Sequence, residues 1–260
     1  MTLLWILGAT FSGGALSAAL ASAFLLLGDK QRAWLLPHLI SFATGAMLAA
    51  ALVGLLPEAI VSAGPLRIQS IGVAVLAGIG LFFVLEKLVL WRHCHVEQCD
   101  THSPHEAGRD QAAGWIVLFG TGMHNAFDGV LIAAAFLTDT RLGVLTTIAI
   151  TAHEVPQELG DLAVLLHARM SARRALWFNA ASSLTSILGG LVGYFALRSA
   201  LGILPYAISV AAASLIYVAV ADLIPGLHRR VDPRGSSAQV LLIAAGASVI
   251  WMAQAWLPDA

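Results

Sequence analysis

Two short stretches of an otherwise apolar chain carry side chains able to coordinate a cation: His124-Asn125-Ala126-Phe127-Asp128-Gly129 and His153-Glu154-Val155-Pro156-Gln157-Glu158-Leu159-Gly160-Asp161. On a helix each residue advances about 100°, so His124 and Asp128 share a face, with Asn125 flanking it. The same arithmetic puts His153, Glu154, Gln157, Glu158 and Asp161 within an arc of roughly 140°. Two helices turning these faces toward each other would offer imidazole nitrogen and carboxylate oxygen to one ion. Mixed nitrogen and oxygen ligands suit zinc and the neighbouring divalent metals, whereas an all-oxygen set suits calcium or magnesium. Neutral imidazole also makes affinity depend on pH, because protons compete for the same nitrogen. For Asn125, Gln157, Glu158 and Asp161, hydrogen bonding behind the ligands explains the residue types as well as coordination does. Pro156 leaves the Ala152 carbonyl without its helical donor and bends the helix, which is tolerated at membrane depth where the backbone lines a cavity.

The elements that must hold these residues are read from hydropathy. Of the 260 residues 58% are hydrophobic and only 11% charged, against about a quarter charged in soluble domains, and mean hydropathy is +0.83. The reading is an all-α, polytopic membrane protein. With a window of about 20 apolar residues, eight transmembrane helices are expected, at about 2–27, 34–57, 68–91, 112–137, 142–167, 172–197, 203–223 and 238–257. The two polar stretches then fall on the fourth and fifth. A carboxylate near mid-bilayer costs at least a few kcal/mol, so such residues are functional candidates by default. The apolar start at Met1-Thr2-Leu3-Leu4-Trp5 lacks the basic flank of a cleavable signal and is read as the first permanent span.

Basic residues set the expected orientation. Lys30, Arg32, Lys87, Arg92, Arg109, Arg169, Arg173, Arg174, Arg229, Arg230 and Arg234 fall on one side of this plan, and Arg67, Arg141 and Arg198 on the other. Positive-inside asymmetry puts the 92–111 loop in the cytoplasm and both termini outside a cell (plasma or inner) membrane. A net charge of −1 argues against a nucleic-acid partner. The whole chain, 1–260, reads as one transmembrane domain with no room for a nucleotide-binding fold, so an ion or substrate gradient is the expected energy source. Dense Gly and Ala in Gly13-Gly14-Ala15, Ala43 to Ala51, Gly72 to Gly80 and Gly189-Gly190 predict close helix packing.

The cytoplasmic loop gathers four of the nine histidines and both cysteines: His93, Cys94, His95, Cys99, His102 and His105. Such a tract is a compositional metal-binding candidate, pictured as a flexible acceptor near the inner end of the path. Glu58 at the outer end of the second span, and Asp222 with His228 toward the inner end of the seventh, are candidate way-stations. His38 and His167 are expected at the interface.

The two polar stretches resemble the Zrt/Irt-like protein (ZIP) family of divalent metal transporters, bacterial-type members included. The fourth span of that family carries His-Asn-x-x-[Asp/Glu]-Gly and the fifth, in one large subfamily, His-Glu-x-Pro-His-Glu-x-Gly-Asp. The resemblance implies a ZIP-like fold with a metal site between the fourth and fifth helices. It further implies a homodimer in the bilayer that imports zinc, or Fe2+, Mn2+ or Cd2+, into the cytoplasm as substrate by alternating access, a mobile bundle passing a static one, with no catalytic cofactor. His124, Asn125, Asp128, His153, Glu154 and Gln157 occupy the family's ligand positions, and Met47 that of a soft ligand from the second span. Glu158, Asp161 and Asp222 are further pathway candidates. Gln157 departs from the family's His or Glu and offers a neutral amide oxygen. In the sixth span Ser186 stands nearest to a bridging Glu of some members, so one principal site is expected. Two other readings are a non-transporting metal sensor and an intramembrane zinc enzyme suggested by His153-Glu154. The enzyme motif needs a second His four residues on, where Gln157 stands, and the chain is read as not an enzyme.

Overall fold

The computed structural model describes residues 1–24, 26–97, 106–167, 170–228 and 233–256, and every regular element among them is helical. In chain order these are α1 (Thr2–Phe24), α2 (Asp29–Ala49), α3 (Leu56–Ala63), α4 (Ile68–Glu97), α5 (Glu106–Thr138), α6 (Thr140–His167), α7 (Ala172–Ser183), α8 (Thr185–Arg198), α9 (Leu204–Tyr217), α10 (Ile224–His228) and α11 (Pro233–Trp256). By length and composition six segments among the described residues could cross a membrane: Thr2–Phe24, Trp34–Ala63, Pro65–Leu85, Ala172–Arg198, Leu204–His228 and Ser236–Ala255. α5 and α6 are not among the six. Their imidazoles and carboxylates, with Arg141 at the start of α6, lower the hydropathy of segments otherwise built like the rest.

Several boundaries differ from the sequence expectation. The loop placed at 92–111 is shorter, because the backbone of α4 continues to Glu97 and that of α5 begins at Glu106; no Gly or Pro stands between Trp91 and Glu97 to stop the helix. The span expected at 172–197 is divided at Leu184. There Ser182, Thr185 and Ser186 hydroxyls each donate to the carbonyl three residues back, competing with the backbone ladder. The spans containing Ala50–Leu55 and Val218–Leu223 widen into π-helix over those residues. Each widening ends two residues before a proline, Pro57 or Pro225, whose ring removes a donor and crowds the carbonyl four residues back. For Pro57 that carbonyl is Val53, and Gln254 of α11 donates its side-chain amide to it at 3.1 Å.

Polarity is distributed inside out. Large apolar side chains face outward, as at Phe83, Leu188, Phe195, Leu241 and Trp251, while Thr10, Ser17, Thr44, Asn125, Asp128, His153, Glu154, Glu158 and Asn179 are buried. In water that arrangement would forfeit the hydrophobic effect; in lipid it keeps polar groups away from hydrocarbon. Buried hydroxyls meet carbonyls of their own helix, as in Thr10 to Ile6 (2.8 Å) and Thr44 to Ile40 (2.8 Å). Glycines let backbones touch. A Cβ on Gly129 of α5 would collide with the Ser186 carbonyl of α8, and one on Gly189 of α8 with the Ala126 carbonyl of α5. Gly45 of α2 and Gly246 of α11 meet the facing backbones of Ile243 and Phe42 in the same way.

The element that positions the site is the α5–α6 hairpin. Asp139 alone separates the two helices, and its carboxylate accepts the Leu142 amide at 3.1 Å, capping the first turn of α6. A one-residue link forces the helices antiparallel, so residues at similar separations from Asp139 come together. Phe136 packs on Gly143, His124 faces His153, and Thr121 reaches Asp161. α6 stays helical across Pro156.

Candidate metal centre

Three ligand atoms converge at the middle of this hairpin. His124 Nε2 and His153 Nε2 are 3.2 Å apart, and Asp128 Oδ2 lies 3.4 Å from the first and 3.6 Å from the second. The rings meet edge to face, 83° between planes with centroids 5.5 Å apart, so both nitrogens point into one space. His153 Nδ1 is 3.4 Å from the Ala149 carbonyl one turn back, which favours the tautomer with Nε2 unprotonated. Asp128 Oδ2 is buried without a hydrogen-bond partner. Asp128 and His153 are almost fully enclosed, while a fifth of the His124 side chain remains accessible.

These distances have a chemical meaning. Two unprotonated nitrogens at 3.2 Å with a carboxylate oxygen beside them set three lone pairs against one another, and a cation between them removes the repulsion. Zinc bonds of about 2.1 Å in tetrahedral array set ligand atoms about 3.4 Å apart. The observed triangle of 3.2, 3.4 and 3.6 Å is therefore one face of such a tetrahedron, with a fourth position left over.

The remaining candidates separate into distinct surroundings. Asn125 is buried beside the triangle with its Nδ2 unpartnered, and Gln157, four residues beyond His153, is half-buried. Glu154 turns to α1, where Ser17 Oγ stands 3.1 Å from its Oε2. Glu158 accepts from Ser17 at 3.1 Å and from Ser183 of α7, and Asp161 accepts from Thr121 at 2.6 Å. Met47 is completely buried within the principal apolar cluster, alongside such residues as Ile6, Leu55 and Ile150. Ser186 points its hydroxyl at the Thr10 and Ser183 carbonyls, 3.3 and 2.8 Å away. Glu58 holds Ser62 at 2.7 Å on an exposed turn, and His38 Nδ1 sits 2.6 Å from the Trp34 carbonyl. Cys99, His102 and His105 lie outside the described residues, as do the side chains of His93, Cys94, His95, His167 and Asp222.

Sequence reasoning missed Ser17, Asn179 and Ser183 as partners of the acidic residues. Ser17 sits in α1, remote in sequence, and a single serine among alanines gives no periodic signal. Asn179 was the legible one, an amide inside an otherwise apolar run of α7.

Fold and centre together define a polytopic α-helical membrane protein with a buried imidazole–carboxylate pocket. The family model described as ZIP Zinc transporter matches residues 91–253, which include both polar stretches. The chain is 34% identical over 245 residues to zinc transporter ZIP13 of Pongo abelii, covering 86% of this chain and 69% of that protein. Against zinc transporter ZIP13 of Homo sapiens it is 31% identical over 272 residues, covering 86% and 72%. A shorter match, 36% over 141 residues, joins 52% of this chain to 17% of human zinc transporter ZIP10. The chain belongs to the ZIP family.

Proposed function

We propose that this chain moves divalent transition metal, zinc first, across a membrane and into the cytoplasm, and that the ion is held in transit by His124, Asp128 and His153. The observation that carries the reading is the triangle of two imidazole nitrogens and one otherwise unpartnered carboxylate oxygen at tetrahedral spacing inside the helix bundle. Relatives named zinc transporters over most of the chain support the cargo and a non-enzymatic role. Asn125 and Gln157 are the candidates for the fourth position; Glu154, a further ligand position that the resemblance implies, turns to Ser17 of α1. Fe2+, Mn2+ and Cd2+ accept the same donors and are the competitors to test.

In this reading α5 and α6 also cross the bilayer, making eight spans and a single transmembrane domain over 1–260. At about 1.5 Å per residue the 33 residues of α5 and 28 of α6 exceed a 30 Å hydrocarbon core. Import into the cytoplasm at the cell membrane, with both termini outside, follows the asymmetry of basic residues. Two glycine-interlocked pairs, α5 with α8 and α2 with α11, support the alternating-access reading, with α6 packed between them against α5 and α2. The working unit would be the homodimer that the family resemblance implies.

Radiolabelled zinc uptake into vesicles containing the wild-type chain, His124→Ala or Asp128→Ala tests this. Accumulation by the wild type with loss in both variants is expected. Equal uptake by all three removes the site, and uptake by none removes the transporter.

A further inference from the structure

Among the described residues π-helix occurs twice, at Ala50–Leu55 and Val218–Leu223, and the two segments match position for position. Each closes with a hydrogen bond reaching back five residues, from the Leu56 amide to the Ala51 carbonyl and from the Ile224 amide to the Ala219 carbonyl. The chain there reads Ala51-Leu52-Val53-Gly54-Leu55-Leu56-Pro57 and Ala219-Val220-Ala221-Asp222-Leu223-Ile224-Pro225. Pro57 and Pro225 stand at the same offset, and the carbonyl each leaves without its α-helical donor, Val53 or Ala221, is the fourth of its segment in both. Backbone dihedrals on both flanks are helical, so each span runs on through its π segment.

The pair is placed reciprocally. Ala50–Leu55 packs on α9 and Val218–Leu223 on α2, and these second and seventh spans of the eight-span reading run in opposite directions. Ala50, Ala51, Leu55, Val218 and Ala219 share one apolar cluster with Leu142, Leu145, Ala149 and Ile150, which line α6 between the Asp139 link and His153. A Cβ on Gly54 would meet Leu142 and Leu145 at 3.8 and 4.0 Å, so α6 lies directly on the first segment. A π segment holds one residue more than the α-helix needs. That surplus can pass along the helix by exchanging bonds to the fifth residue back for bonds to the fourth, which gives the bend discrete settings. Proline pins one end of each segment, because it donates in neither register. Gln254 of α11 meets the Val53 carbonyl at 3.1 Å through its side chain, a bond that can break and re-form without unwinding either helix.

We infer that Ala50–Leu55 and Val218–Leu223 are a matched pair of hinges, at which the α2–α3 and α9–α10 spans bend to open the two halves of the passage to the imidazole centre. The first hinge lies in the second half of its span, toward the outer face, and the second in the second half of its own, toward the inner face. Bending at Ala50–Leu55 moves α3 away from the outer part of α6, and bending at Val218–Leu223 moves α10 at the opposite end. Opening of a passage rests on the transport reading; the bending itself does not.

The test joins zinc uptake to a distance measured in the full-length chain in liposomes. Spin labels at Ser62→Cys and Ser248→Cys, with Cys94 and Cys99 changed to Ser, report α3 beyond the first hinge against α11, which is interlocked with α2 before it. A bend of about 20° over the roughly 10 Å of helix from Leu55 to Ser62 shifts the label by about 4 Å. The hinge-competent chain should show two distances whose proportion zinc changes. Pro57→Ala supplies an amide to the Val53 carbonyl and fixes the α register, so a single distance is expected. Uptake should fall about fivefold or more in Pro57→Ala and in Pro225→Ala, with equilibrium zinc affinity within about twofold of the wild type, since the ligands are untouched. One unchanging distance without the proline substitutions overturns the inference, as do both distances persisting in Pro57→Ala or uptake at the wild-type rate by either proline variant. If Pro57→Ala fails to fold, Gln254→Leu, which releases the Val53 carbonyl from α11, should shift the proportion of the two distances, and an unchanged proportion overturns the inference. A chain that takes up no zinc but shows two zinc-dependent distances keeps the hinge and removes the transport reading instead.

Discussion

Replacing Asp128 with Asn changes one atom and no volume, and the structure predicts how much zinc affinity that atom carries. Structural zinc sites with four protein ligands bind with about 10–16 kcal/mol, roughly 3 kcal/mol per ligand. Asp128 Oδ2 is one corner of a three-atom face, 3.4 and 3.6 Å from the two nitrogens, and has no hydrogen bond to lose. Substitution therefore costs the ion a ligand without releasing a compensating protein contact. The new amide adds a second penalty, because its N–H can donate to an imidazole nitrogen and keep the metal out. About 3 kcal/mol is about two decades in Kd. Competition between the purified protein and a chromogenic zinc chelator at neutral pH reads this directly, with Thr147→Val, a half-buried residue of α6 remote from the triangle, as control. If Asp128→Asn binds zinc within about threefold of the wild type, the three atoms do not act on one ion and the centre is wrongly drawn.

Three further outcomes are expected. Zinc affinity should fall as pH drops through the ordinary imidazole range near 6.5, approaching about two decades per pH unit in the wild type and about one in His153→Ala, because each ring must shed a proton to bind; the same chelator competition run between pH 5 and 8 checks the slopes. Thr121→Val removes the 2.6 Å hydrogen bond to Asp161 and should cost about 1.5 kcal/mol, the low end for a charged acceptor since Asp161 is only half-buried, read as a lower thermal midpoint that Thr121→Ser restores. Gly129→Ala drives a methyl into the Ser186 carbonyl, backbone that cannot swing aside; about 1–3 kcal/mol of destabilisation and loss of zinc uptake should follow, whereas Gly72→Ala, which meets nothing within 4 Å, should leave both unchanged.

Much of the centre was legible because helices are local. The 3.6-residue period puts His124 and Asp128 on one face whatever surrounds them, and a one-residue link at Asp139 leaves α6 little choice but to fold back along α5. Apolar composition likewise dictated a helical membrane protein before any contact was known. The polar arc of α6 was legible only as an arc. His153 and Asp161 look toward α5, yet Glu154 and Glu158, on the far side of that arc, are met by Ser17 and by Ser183 and Asn179.

What the sequence by itself determined, then, is the chemistry available and the helices bearing it: two imidazoles and six carboxyl or amide groups at helical spacing in apolar segments. Tertiary structure alone decided which of them share a space. Gly14 lets α1 approach Ser183, and Gly129 and Gly189 let α5 and α8 touch, so packing of small residues far apart in the chain sets where Ser17 and Ser183 arrive. Helical period is fixed by hydrogen bonds within four residues, whereas helix pairing depends on surface shapes contributed by residues about 60 positions away for α5 and α8 and more than a hundred for α1.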